Sequence, residues 1–183
     1  IRMKARILFA TGYEEVEALT VVDILRRAGM ECLMVASDDA DTVTGAHGIC
    51  VGMDEKISDI SDDSDIVILP GGIPGVPNLK ANPKVEALVK KQNDRGAYVA
   101  AICAGPTALG AFGVLADKTA TCYPGCEGQL MAKDHRTDSV VVDGNVITSR
   151  GVGTAIDFGL KIVEVMIGKT VADELAEKIV YKR

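Results

Sequence analysis

An α/β sandwich, with a mainly parallel sheet flanked by helices and one antiparallel hairpin, is the fold class that the sequence predicts. Three observations carry it. Short apolar runs recur at Lys4–Thr11, Glu31–Ser37, Asp65–Pro70 and Tyr98–Ile102, each bounded by turn residues. Between them lie segments whose apolar residues repeat at helical spacing. Asp143-Gly144 separates two further strand-like runs, Ser139–Val142 and Val146–Ser149, a strong hairpin signal. Strands that alternate with helices imply parallel pairing, because each helical crossover brings the chain back in the same direction.

Lys4–Thr11 (KARILFAT) reads as the first buried strand, ended by Gly12. Glu14–Ala28 carries Ala18, Val21, Val22, Leu25 and Ala28 as a helical stripe, closed by Gly29. Glu31–Ser37 is the second strand. Asp38–Gly48 is polar and turn-rich, and Ile49–Met53 reads as a short strand or edge segment. The acidic run Ser58–Asp65 is expected to be solvated surface and nothing more. Asp65–Pro70 is the third strand and leads into Gly71-Gly72. Asn82 then serves as an N-cap with Pro83 at the first helical position, and Gly96 closes that helix. After the Tyr98–Ile102 strand, Thr107–Gly113 is helix-compatible and Thr119–Cys122 is a weaker strand. Thr154–Ile167 is an apolar-rich helix stopped by Gly168, and Thr170–Val180 a last amphipathic helix capped by Thr170.

The 183 residues suit one domain, spanning 3–183, with no repeat, low-complexity tract or linker. Ile1-Arg2, ahead of Met3, read as added residues and stay outside the fold argument. A net charge of −6 without any basic run argues against specific nucleic-acid binding. No apolar stretch reaches the ~18 residues a membrane span needs, and the N-terminus has no signal-peptide core. The five cysteines, odd in number and without framework spacing, read as free thiols of a reducing cytoplasm.

The stretch YVAAICAGPTALGAFG (Tyr98–Gly113) reads as strand, tight turn, helix, with Cys103 at the bend. A nucleophile there projects from the end of a sheet, and the free N–H groups of the following helix favour thiolate over thiol, so its pKa is expected to fall. The competing reading is an inert core cysteine. Glu17 shares the apolar helix face of Val21 and Ile24, so its carboxyl is expected to be desolvated, protonated near neutral pH and able to shuttle a proton. The alternative is a helix-edge glutamate turned to water. Gly71-Gly72, together with the Ala104 N–H, suits an oxyanion hole beside Cys103, or else an ordinary strand-to-loop turn. The loops Thr11–Glu17, Gly71–Val76 and Cys103–Pro106 all follow strands and can converge on one rim. His47 and His135 fall in polar loops and read as surface residues. Cys122 and Cys126 lack a second ligand pair, so no metal site is expected there. Ser149–Thr154 (SRGVGT) reads as a structural or interface-forming turn.

GYEEVEAL, ILPGG, AAICAGP and TSRGVGTAIDF, in that order, resemble the motifs of the ThiJ/PfpI superfamily in its DJ-one/YajL-like branch. The resemblance runs from about Lys4 to Val180. It implies a flavodoxin-like fold and a homodimer whose sites lie near the subunit contact, formed with the Glu17–Arg27 helix and the SRGVGT loop. It matches Cys103 to the family's oxidation-prone nucleophile, Glu17 to its partner acid, and Gly72 and Ala104 to its backbone donors. Tyr123 stands where some members place a histidine, and His47 where relatives place a basic residue lining the site. The implied activity is a cysteine-dependent, cofactor-independent conversion of small α-oxoaldehydes, of the glyoxalase III or deglycase kind. The alternative is a redox sensor or stress-response chaperone built on an oxidisable Cys103. Ala104 and the sequence His135-Arg136-Thr137 set the chain apart from Cys-His peptidases and from glutamine amidotransferases, respectively.

Overall fold

The structure is a computed structural model in which residues 2–182 are described. Ile1, where the expected added residues begin, and Arg183, the expected end of the domain, lie outside the described residues. The strands are β1 (Lys4–Phe9), β2 (Glu31–Ala36), β3 (Thr42–Thr44), β4 (Cys50–Gly52), β5 (Glu55–Lys56), β6 (Ile66–Leu69), β7 (Tyr98–Ile102), β8 (Thr119–Ala120), β9 (Asp134–His135), β10 (Val140–Asp143) and β11 (Val146–Ser149). The helices are α1 (Glu15–Arg27), α2 (Gly75–Lys80), α3 (Pro83–Asp94), α4 (Gly105–Ala111), α5 (Ala155–Met166) and α6 (Lys169–Lys178).

Seven strands form the central sheet in the order β10-β11-β7-β6-β1-β2-β5, and every neighbouring pair is parallel except the hairpin β10-β11. Because successive residues of a strand point to opposite faces, the apolar runs feed two cores. Ile7, Phe9, Ile66, Ile68, Ala100 and Ile102 pack under α1, α5 and α6. Leu8, Val67, Leu69, Val99 and Ala101 pack under α2, α3 and α4. The result is the flavodoxin-like α/β sandwich expected.

Several local expectations are corrected. The Ile49–Met53 run is the short strand expected, β4, but it pairs antiparallel with β3 outside the main sheet, whose edge on that side is β5. Buried Val43 anchors β3 within a segment whose polar composition reads as loop. Helix α2 follows Ile73-Pro74, takes in the end of the expected Gly71–Val76 loop and contains Pro77. Pro77 sits in the first turn, where its missing N–H leaves no bond unmade, and buried Val76 and Leu79 hold the turn in place. In the hairpin Asp143 registers with Val146, so Gly144 (φ +57°) and Asn145 form the turn rather than Asp143-Gly144. The weaker strand is only β8, which pairs in parallel with β9 and so places His135 on a strand rather than in a loop. The N-cap of α6 is Gly168, not Thr170, and α4 begins two residues ahead of Thr107.

The acidic run is more than solvated surface. Arg6 of β1 is buried, and its guanidinium bonds Glu55 Oε1 at 2.8 Å, Asp63 Oδ1 at 2.6 Å and Ser64 Oγ at 2.8 Å. Lys4 Nζ adds a second bond to Asp63 at 2.6 Å, and Lys91 pairs with Asp62. A buried cation requires such partners, and the acidic loop supplies them.

Four rim loops position the site: those leaving the carboxyl ends of β1, β6, β7 and β11. The first two are tied together, with Glu14 N–H donating to Gly71 O at 2.9 Å and Gly75 N–H to Gly12 O at 3.1 Å.

The Lys4 and Arg6 hydrogen bonds hold the Asp63 carboxyl down at about 2. Its depressed value means that its contribution is present above the unfolded value near 3.8 and is lost as pH falls through about 2. Asp63→Asn is therefore expected to lower stability at neutral pH by under about 1 kcal/mol, since the carboxylate is half exposed, and to flatten the loss of stability between pH 4 and 2. Urea unfolding at a series of pH values checks this.

Candidate active site

The run Tyr98–Ile102 forms β7 over its whole predicted length, and Cys103 follows at φ +66°, an uncommon backbone conformation for a residue with a Cβ. The bend is clamped from both sides: Cys103 N–H donates to Ser149 O at 3.1 Å, and its carbonyl accepts from Tyr123 N–H at 2.8 Å. Helix α4 starts two residues later with Gly105-Pro106. The elbow leaves the Cys103 side chain partly exposed in a cavity of about 750 Å³. Glu14, Glu17, His47, Gly72, Ala104 and Tyr123 also line that cavity.

Glu17 is buried on α1 together with Val21 and Ile24, as the helical spacing predicts. Its Oε1 accepts from Gly71 N–H at 3.0 Å, whereas Oε2 is buried and has no hydrogen-bond partner among the described residues. A Cβ added at Gly71 would lie 2.5 Å from Glu17 Oε1 and 2.6 Å from Cys103 Cβ. The carboxyl and the sulfur-bearing carbon are therefore within about 5 Å of each other, and only glycine fits between them. Gly71 is thereby corrected as an oxyanion donor, because its N–H belongs to Glu17. The Gly72 N–H has no acceptor among the described residues, and the Ala104 N–H is directed at the Cys103 sulfur. Of the expected donors, only the Gly72 N–H is thus without an acceptor among the described residues.

Burial pushes the Glu17 carboxyl up to about 7, against the opposing hydrogen bonds from Cys103 and Gly71. The expectation of a lowered cysteine is corrected: burial first, and then the neighbouring Glu17 carboxylate, push the Cys103 thiol up, with only the Ala104 N–H pulling the other way. Two adjacent groups in a desolvated pocket do not readily carry two negative charges. The pair therefore does not carry two charges near neutral pH, and a Cys103 thiolate requires a protonated Glu17 beside it.

The neighbouring carboxylates have other tasks. Glu14 is the N-cap of α1, its Oε2 accepting from Glu17 N–H at 2.8 Å. Glu15 is buried and tethers the loop before β4, accepting from His47 N–H at 2.9 Å and Ile49 N–H at 3.1 Å. His47 Nδ1 lies 3.1 Å from Glu15 Oε1, which places the exposed imidazole at the cavity rim. Glu14, Glu15 and His47 bring ligand atoms within 4.8 Å of one another, but the Glu15 oxygens are already taken by backbone donors, so the group acts as a loop tether. Cys122 is fully buried, and His135 is exposed outside the cavity. Cys126, Arg150 and Val152 also line the cavity. Cys126 carried no site signal of its own, and the SRGVGT turn read as structure or interface because its position on the same rim depends on β11 pairing with β7.

A partly exposed cysteine on a strained elbow at the carboxyl rim of a flavodoxin-like sheet, with a buried carboxyl against it, defines a class of thiol-bearing α/β proteins. The chain belongs to the DJ-1/PfpI family, whose profile matches residues 3–165. It is 39% identical to the Parkinson disease protein 7 homolog of Danio rerio, over 98% of this chain and 97% of that protein. It is 36% identical to the glutathione-independent glyoxalase DJR-1.2 of Caenorhabditis elegans, over 91% of this chain and 89% of that protein. The solved structure of oxidized Toxoplasma gondii DJ-1 superposes with a TM-score of 0.95 at 33% identity, covering 99% of this chain and 100% of that one. No helix among the described residues is long and apolar enough to cross a membrane.

The raised Glu17 carboxyl gives a stability signature. Its folded value, about 7, lies above its ordinary 4.5, so its contribution is complete below pH 4.5 and is lost as pH rises through 7. The wild type is expected to lose on the order of 2–3 kcal/mol of unfolding free energy between pH 5 and 8 from this group, and Glu17→Gln to lose much less over the same range. Denaturant melts at the two pH values measure the difference.

Proposed function

We propose that the protein is a cysteine-dependent, cofactor-independent enzyme acting on small α-oxoaldehydes, converting methylglyoxal to lactate without glutathione. The observation that carries this reading is the buried Glu17 carboxyl against Cys103: desolvation holds its proton up to about 7, so it can take and return one at neutral pH, and its Oε2 has no hydrogen-bond partner of normal geometry among the described residues. The glyoxalase name of the Caenorhabditis elegans relative supports it.

Glu17 takes the thiol proton, and the Cys103 sulfur adds to the aldehyde carbon. The carbonyl π bond opens onto oxygen, where the Gly72 and Ala104 N–H groups hold the developing charge until Glu17 returns a proton, leaving a hemithioacetal. Glu17 then moves the proton of that carbon to the neighbouring ketone carbon through an enediol. The first carbon is oxidised to a thioester while the second is reduced to an alcohol, so no external oxidant is consumed. Water cleaves the thioester to lactate and restores the thiol. Tyr123 lines the cavity and offers a hydroxyl to the substrate. Removal of early glycation adducts from proteins or nucleotides would use the same residues.

The second reading is a redox sensor or stress-response chaperone. The solved Toxoplasma gondii relative is described as oxidized, and the thiol–carboxyl pair suits a sulfinate hydrogen-bonded by protonated Glu17. For either reading we place the protein in a reducing, cytoplasmic setting, in keeping with five free cysteines. We also propose a homodimer through α1 and the 150–154 loop, where Val16 and Val152 are exposed, as is Ile156 in the first turn of α5.

Lactate formation from methylglyoxal, assayed without glutathione, is expected to vanish in Cys103→Ala and to fall by roughly 10²–10⁴ in Glu17→Gln. Absence of turnover in the wild type would remove the enzyme reading and leave the sensor.

A further inference from the structure

Cys126 is the one cysteine besides Cys103 that lines the cavity. We propose that Cys126 is a resolving thiol, which closes a Cys103–Cys126 disulfide after a hydroperoxide has oxidised Cys103. The inference rests on the reading of Cys103 as a reactive thiol and does not depend on any aldehyde activity.

The backbone brings the two residues together. Tyr123 donates its N–H to Cys103 O at 2.8 Å and accepts at its own carbonyl from Cys126 N–H at 3.0 Å. The turn that carries Cys126 is thus clipped directly to the carbonyl of the nucleophile. A disulfide requires Cα atoms about 4.4–6.8 Å apart, so its closure fixes how this turn sits against the elbow. The turn has room to move: Gly125 sits at φ +100° with nothing within 4 Å of its Cβ direction, and Tyr123 is exposed. The other cysteines are placed differently. Cys32 and Cys122 are buried within the two cores, and Cys50 is exposed on β4 outside the cavity.

The chemistry balances with a hydroperoxide as oxidant. Cys103 transfers its proton to Glu17, and its sulfur attacks the distal peroxide oxygen. The O–O bond breaks, the sulfur is oxidised by two electrons to the sulfenic acid, and the leaving alkoxide or hydroxide takes the proton back from Glu17. Cys126 then attacks the Cys103 sulfur, the S–O bond breaks, and the departing hydroxide leaves as water with the Cys126 proton. Two thiols and one hydroperoxide give a disulfide, an alcohol or water, and a water. An external thiol reverses the disulfide, whereas further oxidation to sulfinate is not reversed in this way.

The test treats the protein with hydrogen peroxide in excess of two equivalents per chain, enough to carry a thiol to sulfinate, and maps its peptides by mass spectrometry without reduction, in the wild type and in Cys126→Ser, Cys126→Ala and Cys122→Ser. The expected result is a cross-linked Cys103–Cys126 peptide, lighter by two hydrogens, in the wild type and in Cys122→Ser, with Cys103 regenerated by dithiothreitol. Both Cys126 variants are expected to lose that peptide and to accumulate Cys103 sulfinate that dithiothreitol does not regenerate. Equal sulfinate in wild type and Cys126 variants, or a cross-link to Cys122 or between chains, would overturn the proposal. Iodoacetamide capture of Cys103 in the unoxidised proteins reports separately on the reactive-thiol reading, and a Cys103 that is alkylated yet never cross-linked overturns the inference alone.

Discussion

The site depends on keeping one carboxyl out of water. Glu17 is fixed by a single backbone donor, Gly71, on one oxygen, while burial deprives the other of any partner. An ionised carboxylate in that position is poorly solvated, so the proton is held up to about neutral pH and becomes something the pocket can exchange. Cys103 shares this desolvation. A thiol placed there gains nothing from proximity to a helix terminus unless the carboxylate beside it is first neutralised, and the two groups act as one proton-transfer unit. The glycine at 71, the N-cap at Glu14 and the positive φ at Cys103 are the backbone conditions under which the two side chains meet.

The same rim shows how differently carboxylates behave three residues apart. Glu14, Glu15 and Glu17 lie in one short segment, yet one caps a helix, one tethers a loop and one faces the thiol. Their fates follow from what surrounds each. Backbone N–H groups arrive at Glu15 from His47 and Ile49 and lower its proton affinity despite its burial. At Glu17 one such donor arrives, too few to offset desolvation. Arg6 is the cationic counterpart, a buried guanidinium tolerated because an acidic loop folds over it.

The proposed catalysis and the proposed oxidation would make overlapping demands on Cys103. A cavity open enough for an aldehyde also admits a peroxide, and a thiolate that adds to one attacks the other. A second thiol on the Tyr123–Cys126 turn gives this chain a reversible product where a solitary cysteine proceeds to sulfinate.

Periodicity along the sequence determined the α/β class, the four parallel strands of the centre and the helix face on which Glu17 lies, because burial of a repeating apolar face is a local property of composition and spacing. Asn82-Pro83 and the elbow at Cys103 were legible for the same reason: capping and turn chemistry act over a few residues. Local rules misplaced what they could not reach. Helix α2 is held by Val76 and Leu79 against a distant core, the acidic run is recruited by Arg6 across some fifty residues, and the hairpin turn is set by cross-strand register. The direction of the Cys103 shift was likewise decided in three dimensions. The sequence placed a helix terminus behind the sulfur, but only the folded chain buried that sulfur and brought the Glu17 carboxyl against it, and desolvation first, then the neighbouring charge, outweigh the donors of one short helix.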